Sequence, residues 1–338
     1  MQAIRLHPSP KDAPPYSPTN PAPPSALHLD TNIPIPKPST PGTLLIRIQA
    51  TTVIRDALTW PETYAHEYTI PGHDFSGTVV EVFPGAESRF KPGDEVFGMA
   101  HADRGAAWAE YAVVKDEEVA LKPAGLGWEE AAALPLSGLT GFEALFEKAG
   151  LDVPVLETGG GLNPHSKKVL ITGAAGGVGV YLVQLAAIAG LHVVAATSSN
   201  ARNEEFLREL GADETVEYGE LVTGQDCRFD VIVDTVGGNV LAECWGFVKD
   251  DGVLVSVDSA SFDFVRVHGE RGIRKEGVRA LFFIVEPSRP ALEALARFAE
   301  MGRLRSFVLD TYPLAKAEEA YERASGRVSG RGKIVLVV

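Results

Sequence analysis

Gly173-Ala-Ala-Gly176-Gly177-Val178-Gly179 lies between the apolar run Val169-Leu-Ile and the apolar stretch Val180 to Ala189. Glycines at that spacing allow a tight turn, a close approach of backbone to ligand, and a helix start whose amides face negative charge. A strand, turn and helix so built would cradle the pyrophosphate of a dinucleotide through Gly173, Gly176, Gly177, Val178 and Gly179. The alternative is a turn that only packs helix on strand, and the second strand, His192 to Ala196, favours the binding reading. After that strand comes Ala195-Ala-Thr-Ser-Ser-Asn-Ala-Arg202, with no carboxylate to accept the 2′-hydroxyl of NAD. Ser198 and Ser199 can donate hydrogen bonds and Arg202 can pair with a 2′-phosphate, so NADP(H) is the expected cofactor. Glu204 and Glu205 compete for that arginine, and a solvated helix cap is the plainer reading. Asp234 closes a further strand, Phe229 to Asp234, where a ribose contact and a turn role are equal alternatives.

These residues need a parallel sheet to hold them. Val169 to Thr172, His192 to Ala196, Phe229 to Asp234 and Val253 to Val257 read as its strands, with helices at Val180 to Ala189 and Glu204 to Leu210 between them. Ahead of them, Thr69 to Val114 is a series of short strands cut by Pro84-Gly85 and Pro92-Gly93, an antiparallel β-rich unit. Twelve prolines crowd residues 8–41, read as an irregular ordered crossing between strands rather than a free tail. The tail carries helices at Pro290 to Met301 and Ala315 to Ala324 and a last strand, Lys333 to Val338.

Composition sets the outer bounds. The chain has 338 residues, 45% hydrophobic, and 45 acidic against 31 basic side chains, a formal charge of −14. That is room for more than one globular unit, and the acidity argues against tracking a nucleic-acid backbone. Cys227 and Cys244 alone can build neither a disulfide framework nor a structural zinc lobe, and read as small hydrophobes in a reducing, cytoplasmic setting. No secretory signal is visible at Met1, and the uncharged stretch Val169 to Ala201 holds too many glycines and polar residues to be read as a membrane span.

In order, Ile70-Pro-Gly-His-Asp-Phe-Ser-Gly77, Phe90-Lys-Pro-Gly-Asp-Glu-Val-Phe-Gly98, Trp108-Ala-Glu-Tyr111, Leu134-Pro-Leu-Ser-Gly-Leu-Thr-Gly-Phe142, the glycine turn, Leu210-Gly-Ala-Asp213 and Gly332-Lys-Ile-Val-Leu336 run nearly end to end. In that order the chain resembles the medium-chain dehydrogenase/reductase superfamily, within it the zinc-independent quinone oxidoreductase and enoyl reductase branch. The resemblance implies an α/β protein: a GroES-like catalytic domain over residues 1–135 and 278–338, and a doubly wound Rossmann NADP(H)-binding domain over 136–277, with the substrate between them. Thr172-Gly-x-x-x-Gly-x-Gly179 and Tyr312-Pro-Leu-Ala-Lys316 also imitate a short-chain dehydrogenase. The β-rich region ahead of the glycines, and Pro313 where that family needs a continuous helix, argue against it.

The resemblance further implies Thr140 near the nicotinamide, Asp56 at the cleft, and Tyr218, Ser198, Ser199 and Arg202 at the ribose and phosphate end; Lys333 joins the cofactor contacts. Tyr64 is the candidate proton donor or carbonyl clamp, with simple packing as its alternative. His73 matches the zinc-ligand histidine of the alcohol dehydrogenases, but the other ligand positions fall near Val53 and Leu136, and Asp74 and Glu67 could only assist. No metal is expected, and His73 is read as a buried, hydrogen-bonded structural residue. Without a Lewis acid, an activated acceptor suits hydride transfer better than a saturated alcohol or ketone. The expected function is NADPH-dependent reduction of an enone, enoyl group or quinone. The polyketide-type enoyl reductases have a Lys where this chain has Leu58. The alternatives are a carbonyl reductase or alcohol dehydrogenase on the same fold, and a non-catalytic NADPH-binding accessory protein. The expected partner is a small-molecule substrate, with no nucleic acid and no membrane, and a homodimer is left open.

Overall fold

The computed structural model describes residues 1–85, 88–154, 167–221, 228–326 and 330–338, so Cys227 lies outside the described residues. They divide into two units, Met1–Leu136 with Glu286–Val338, and Ser137–Val285.

In the first unit, β1 (Ala3–Leu6) pairs antiparallel with β2 (Leu27–Asp30) across the proline-rich stretch, which turns at Ser17 and Asn20. β3 (Thr43–Val53), β4 (Asp74–Val82), β5 (Glu95–Met99), β6 (Tyr111–Lys115) and β7 (Val119–Leu121) follow, then α1 (Trp128–Ala133). β3 can run through eleven residues because alternate positions bury Leu44, Ile46 and Ile48 in one cluster with Phe75, Val79, Val96 and Val114. α2 (Pro135–Phe142) carries the chain across the boundary of the units.

The second unit holds β8 (Lys168–Ile171), β9 (His192–Thr197), β10 (Glu214–Glu217), β11 (Phe229–Asp234), β12 (Val248–Ser256) and β13 (Arg279–Phe282). They form one parallel sheet in the order β10-β9-β8-β11-β12-β13. This is the doubly wound order, and its direction reverses between β8 and β11, where such folds receive a ligand at the carboxyl ends of the strands. α3 (Gly179–Ile188) buries nine of its residues, as an all-round apolar helix must, and α4 (Asn200–Glu209), α5 (Gly238–Cys244) and α6 (Phe264–Glu270) link later strands. Because β13 pairs in this sheet, the chain re-enters the first unit at Glu286, eight residues after the expected start at 278.

Back in the first unit, α7 (Arg289–Glu300) precedes β14 (Val308–Pro313), α8 (Ala317–Ser325) and β15 (Lys333–Val337). Pro313 ends β14 and leads into a short helical turn, so Tyr312 and Lys316 share no continuous helix. β15 lies between β14 and β3, parallel to the former and antiparallel to the latter.

Candidate functional site

The glycine turn follows β8 at the point of reversal. Gly173 has φ of +64°, and a Cβ there would overlap Thr235 Oγ1; a Cβ on Gly179 would overlap the Gly173 carbonyl oxygen. The fold itself therefore requires those two glycines. Gly177 differs, because nothing lies within 4 Å of where its Cβ would be, and it is exposed. Its missing side chain clears a path to the backbone from outside, and α3 starts with neither a side-chain cap nor an acidic residue in its first turn. The turn thus fits the phosphates of a dinucleotide.

Around the turn the polar groups are closely committed. Asp234 is fully buried, and its Oδ1 accepts from Thr172 Oγ1 at 2.6 Å and from the Val236 amide at 3.3 Å. Its Oδ2 accepts from the Gly237 amide at 2.9 Å and from Ser256 Oγ at 3.1 Å. Burial pushes its pKa up against these bonds. It joins the ends of β8, β11 and β12. Tyr218 accepts the Gly173 amide at 2.9 Å, and burial raises its pKa. Ser198 and Arg202 are exposed beside the start of α4, and Ser199 is its N-cap residue in extended backbone but makes no capping bond. The Asn200 amide instead donates to Glu217 Oε1 at 2.6 Å. The sequence reading missed Glu217; the available signal was its place directly before Tyr218.

In the first unit, Asp56 is half-exposed, opens the short helical turn Ala57–Thr59 and pairs with Arg55 at 2.9 Å. The segment is held by side chains. Tyr64 donates to the Leu58 carbonyl and accepts the Ala22 amide at 3.0 Å, and Thr63 Oγ1 donates to the Ala57 carbonyl at 2.5 Å. Tyr321, from α8, donates to the Arg55 carbonyl at 2.6 Å and accepts the Leu58 amide at 3.2 Å. The Tyr64 proton is thus engaged by Leu58, and burial raises its pKa. Lys333 pairs with buried Asp74 Oδ2 at 2.6 Å, where Thr52 Oγ1 also donates at 2.6 Å, while Asp74 Oδ1 accepts the Leu136 amide at 2.6 Å. Its ammonium group is a staple between β15 and β4. Thr140 is buried on α2, in the second unit.

His73 is buried, 5.4 Å between ring centroids from Trp60, and burial lowers its pKa, so the imidazole is neutral. Its Nδ1 has no hydrogen-bond partner, while a hydrogen bond with the Ala100 backbone works against the effect of burial. Among the described residues no three His, Cys, Asp or Glu side chains converge as metal ligands. Val53 is a buried apolar residue, both Asp74 oxygens are occupied, and Glu67 is exposed. This donor set does not fit a catalytic zinc held by three protein ligands.

Comparison with known proteins follows the division of the chain. Residues 40–124 match the alcohol dehydrogenase GroES-like domain and residues 210–336 the zinc-binding dehydrogenase family. A probable zinc-binding oxidoreductase, mitochondrial, of Arthroderma benhamiae is 36% identical over 94% of each chain. The 2-methylene-furan-3-one reductase of Solanum lycopersicum is 34% identical over 78% of this chain and 62% of its own. The structure of the quinone oxidoreductase from Coxiella burnetii superposes with a TM-score of 0.80 at 26% identity, covering 100% of this chain and 99% of the other. No described helix is long and apolar enough to cross a membrane.

Proposed function

The chain belongs to the medium-chain dehydrogenase/reductase superfamily of oxidoreductases, and from that premise we propose that it is an NADPH-dependent, zinc-independent reductase of conjugated C=C bonds or quinones. The observation that carries this reading is the donor-poor surroundings of His73: Val53 and Leu136 replace ligands, and Lys333, Thr52 and the Leu136 amide occupy Asp74. A substrate here has to be activated by its own structure. In an enone, the β-carbon takes a hydride while the carbonyl oxygen gathers the charge, and a proton then completes the α-carbon. Bound NADPH supplies the hydride. The glycine turn and the start of α3 would hold its pyrophosphate and Ser198, Ser199 and Arg202 its 2′-phosphate, with Thr140 of the second unit the candidate beside the nicotinamide and Asp56 of the first unit a candidate for the substrate. With the Tyr64 hydroxyl bonded to Leu58, the final proton comes from solvent. The similar enone reductase and quinone oxidoreductase agree with this choice of acceptor. The cysteine count keeps a reducing, cytoplasmic setting in the proposal.

Product analysis tests it. The purified protein, with its zinc content measured, is offered NADPH and a panel of enones, quinones and saturated ketones. The expected result is consumption of NADPH with enones, giving products that keep the carbonyl, at zinc well below one per chain. Alcohol products from ketones with enones unreduced would establish the carbonyl reductase reading instead. Tight NADPH binding with no consumption would mark an accessory protein.

A further inference from the structure

The nucleotide end of the site contains a charge that the cofactor reading does not use. β10 is an edge strand in parallel register with β9, Glu217 opposite Thr197, so its last residue ends beside the loop that carries Ser198 and Ser199. Glu220 Oε2 accepts the Glu217 amide at 3.0 Å and holds the strand end, while Glu217 Oε1 accepts the Asn200 amide at 2.6 Å. A full negative charge thus caps the first turn of α4, a task usually given to the N-cap side chain, which Ser199 leaves undone. Arg202 belongs to that same turn. A carboxylate is an acceptor, which suits a hydroxyl donor and opposes a phosphate.

We propose that Glu217 is a specificity-determining residue that restrains the preference for a 2′-phosphate and accommodates a free ribose hydroxyl, so that the protein binds both NADPH and NADH. The inference rests on the cofactor reading above, in which Arg202 receives the phosphate. The two groups oppose each other at one helix end. Arg202 attracts a dianion that Glu217 repels, and the ratio of affinities is set by their difference.

Calorimetric titration of the full-length protein with adenosine 2′,5′-bisphosphate and with 5′-AMP separates the two claims. E217Q keeps a carbonyl for the Asn200 amide but loses the charge. It is expected to bind the bisphosphate about tenfold more tightly than wild type, with the gain shrinking at high salt, and to bind 5′-AMP more weakly, since the ribose hydroxyl loses its charged acceptor. E217A loses the cap as well and is expected to show the same selectivity with lower thermal stability. R202A should weaken the bisphosphate alone. If E217Q and E217A leave the affinity ratio unaltered while R202A lowers it, Glu217 is a helix cap only and the inference is overturned, the cofactor reading intact. If R202A also has no effect, the 2′-phosphate reading itself is wrong.

Discussion

Single side chains separate fold from ligand at this site. Gly177→Ala adds a methyl group to open space, so thermal stability should stay at the wild-type value while NADPH affinity falls; Gly179→Ala drives the same methyl into the Gly173 carbonyl and should lower stability first. Melting temperature and nucleotide affinity, measured on both variants, check the contrast. Lys333→Met leaves buried Asp74 with hydrogen-bond donors but no counter-charge, which should cost about 3 kcal/mol in a urea titration and leave NADPH affinity unchanged. A loss of affinity without loss of stability would return Lys333 to the cofactor. The glycines were readable because their spacing is local and adjoins its strand and helix. The assignments of Tyr64 and Lys333 depended on partners elsewhere in the chain, Ala22 and Asp74, that no local pattern reveals.

At the scale of elements, β8, β9 and β11 were legible because strands buried on both faces are continuous apolar runs. β10 and β13 were not. They are the sheet's edges, their sequences Glu-Thr-Val-Glu and Arg-Ala-Leu-Phe are half-buried or exposed, and only pairing with β9 and β12 makes them strands. α4 likewise begins at Asn200 rather than the expected Glu204, since its polar first turn has no apolar periodicity and is capped from β10. The segment Arg55 to Leu58 depends on a different device, two tyrosine hydroxyls that satisfy its backbone. Tyr321→Phe removes the partners of the Arg55 carbonyl and the Leu58 amide and should destabilise the protein by about 2 kcal/mol. If Asp56 faces the substrate, the same variant should raise KM, and Tyr64→Phe should match it; steady-state kinetics beside denaturant titration shows whether both effects occur.

Over the whole molecule, the pH response of stability follows from imidazoles that folding keeps neutral. His268 Nδ1 accepts the Trp245 indole at 2.9 Å, and burial, then Arg271, lowers its pKa from the ordinary 6.5. The folded pKa lies below the unfolded one, so the unfolded chain binds the extra proton first. The stabilising contribution is complete above about pH 6.5 and is lost as pH falls from there through the folded pKa. His73, lowered by burial, adds to the same slope. His268→Gln should reduce the fall in unfolding free energy between pH 7.5 and 5.5, with Trp245 emission following it, as a denaturation series at each pH would record. The path of the chain has a further consequence for how the protein is made. β15 lies between β14 and β3, yet β3 is synthesised near the start and β15 at the end. A nascent chain emerging from the ribosome therefore has β6 to pair with Thr43–Arg47 of β3 but leaves Ala50–Val53 without its partner throughout translation of the second unit, until Lys333–Val337 emerge.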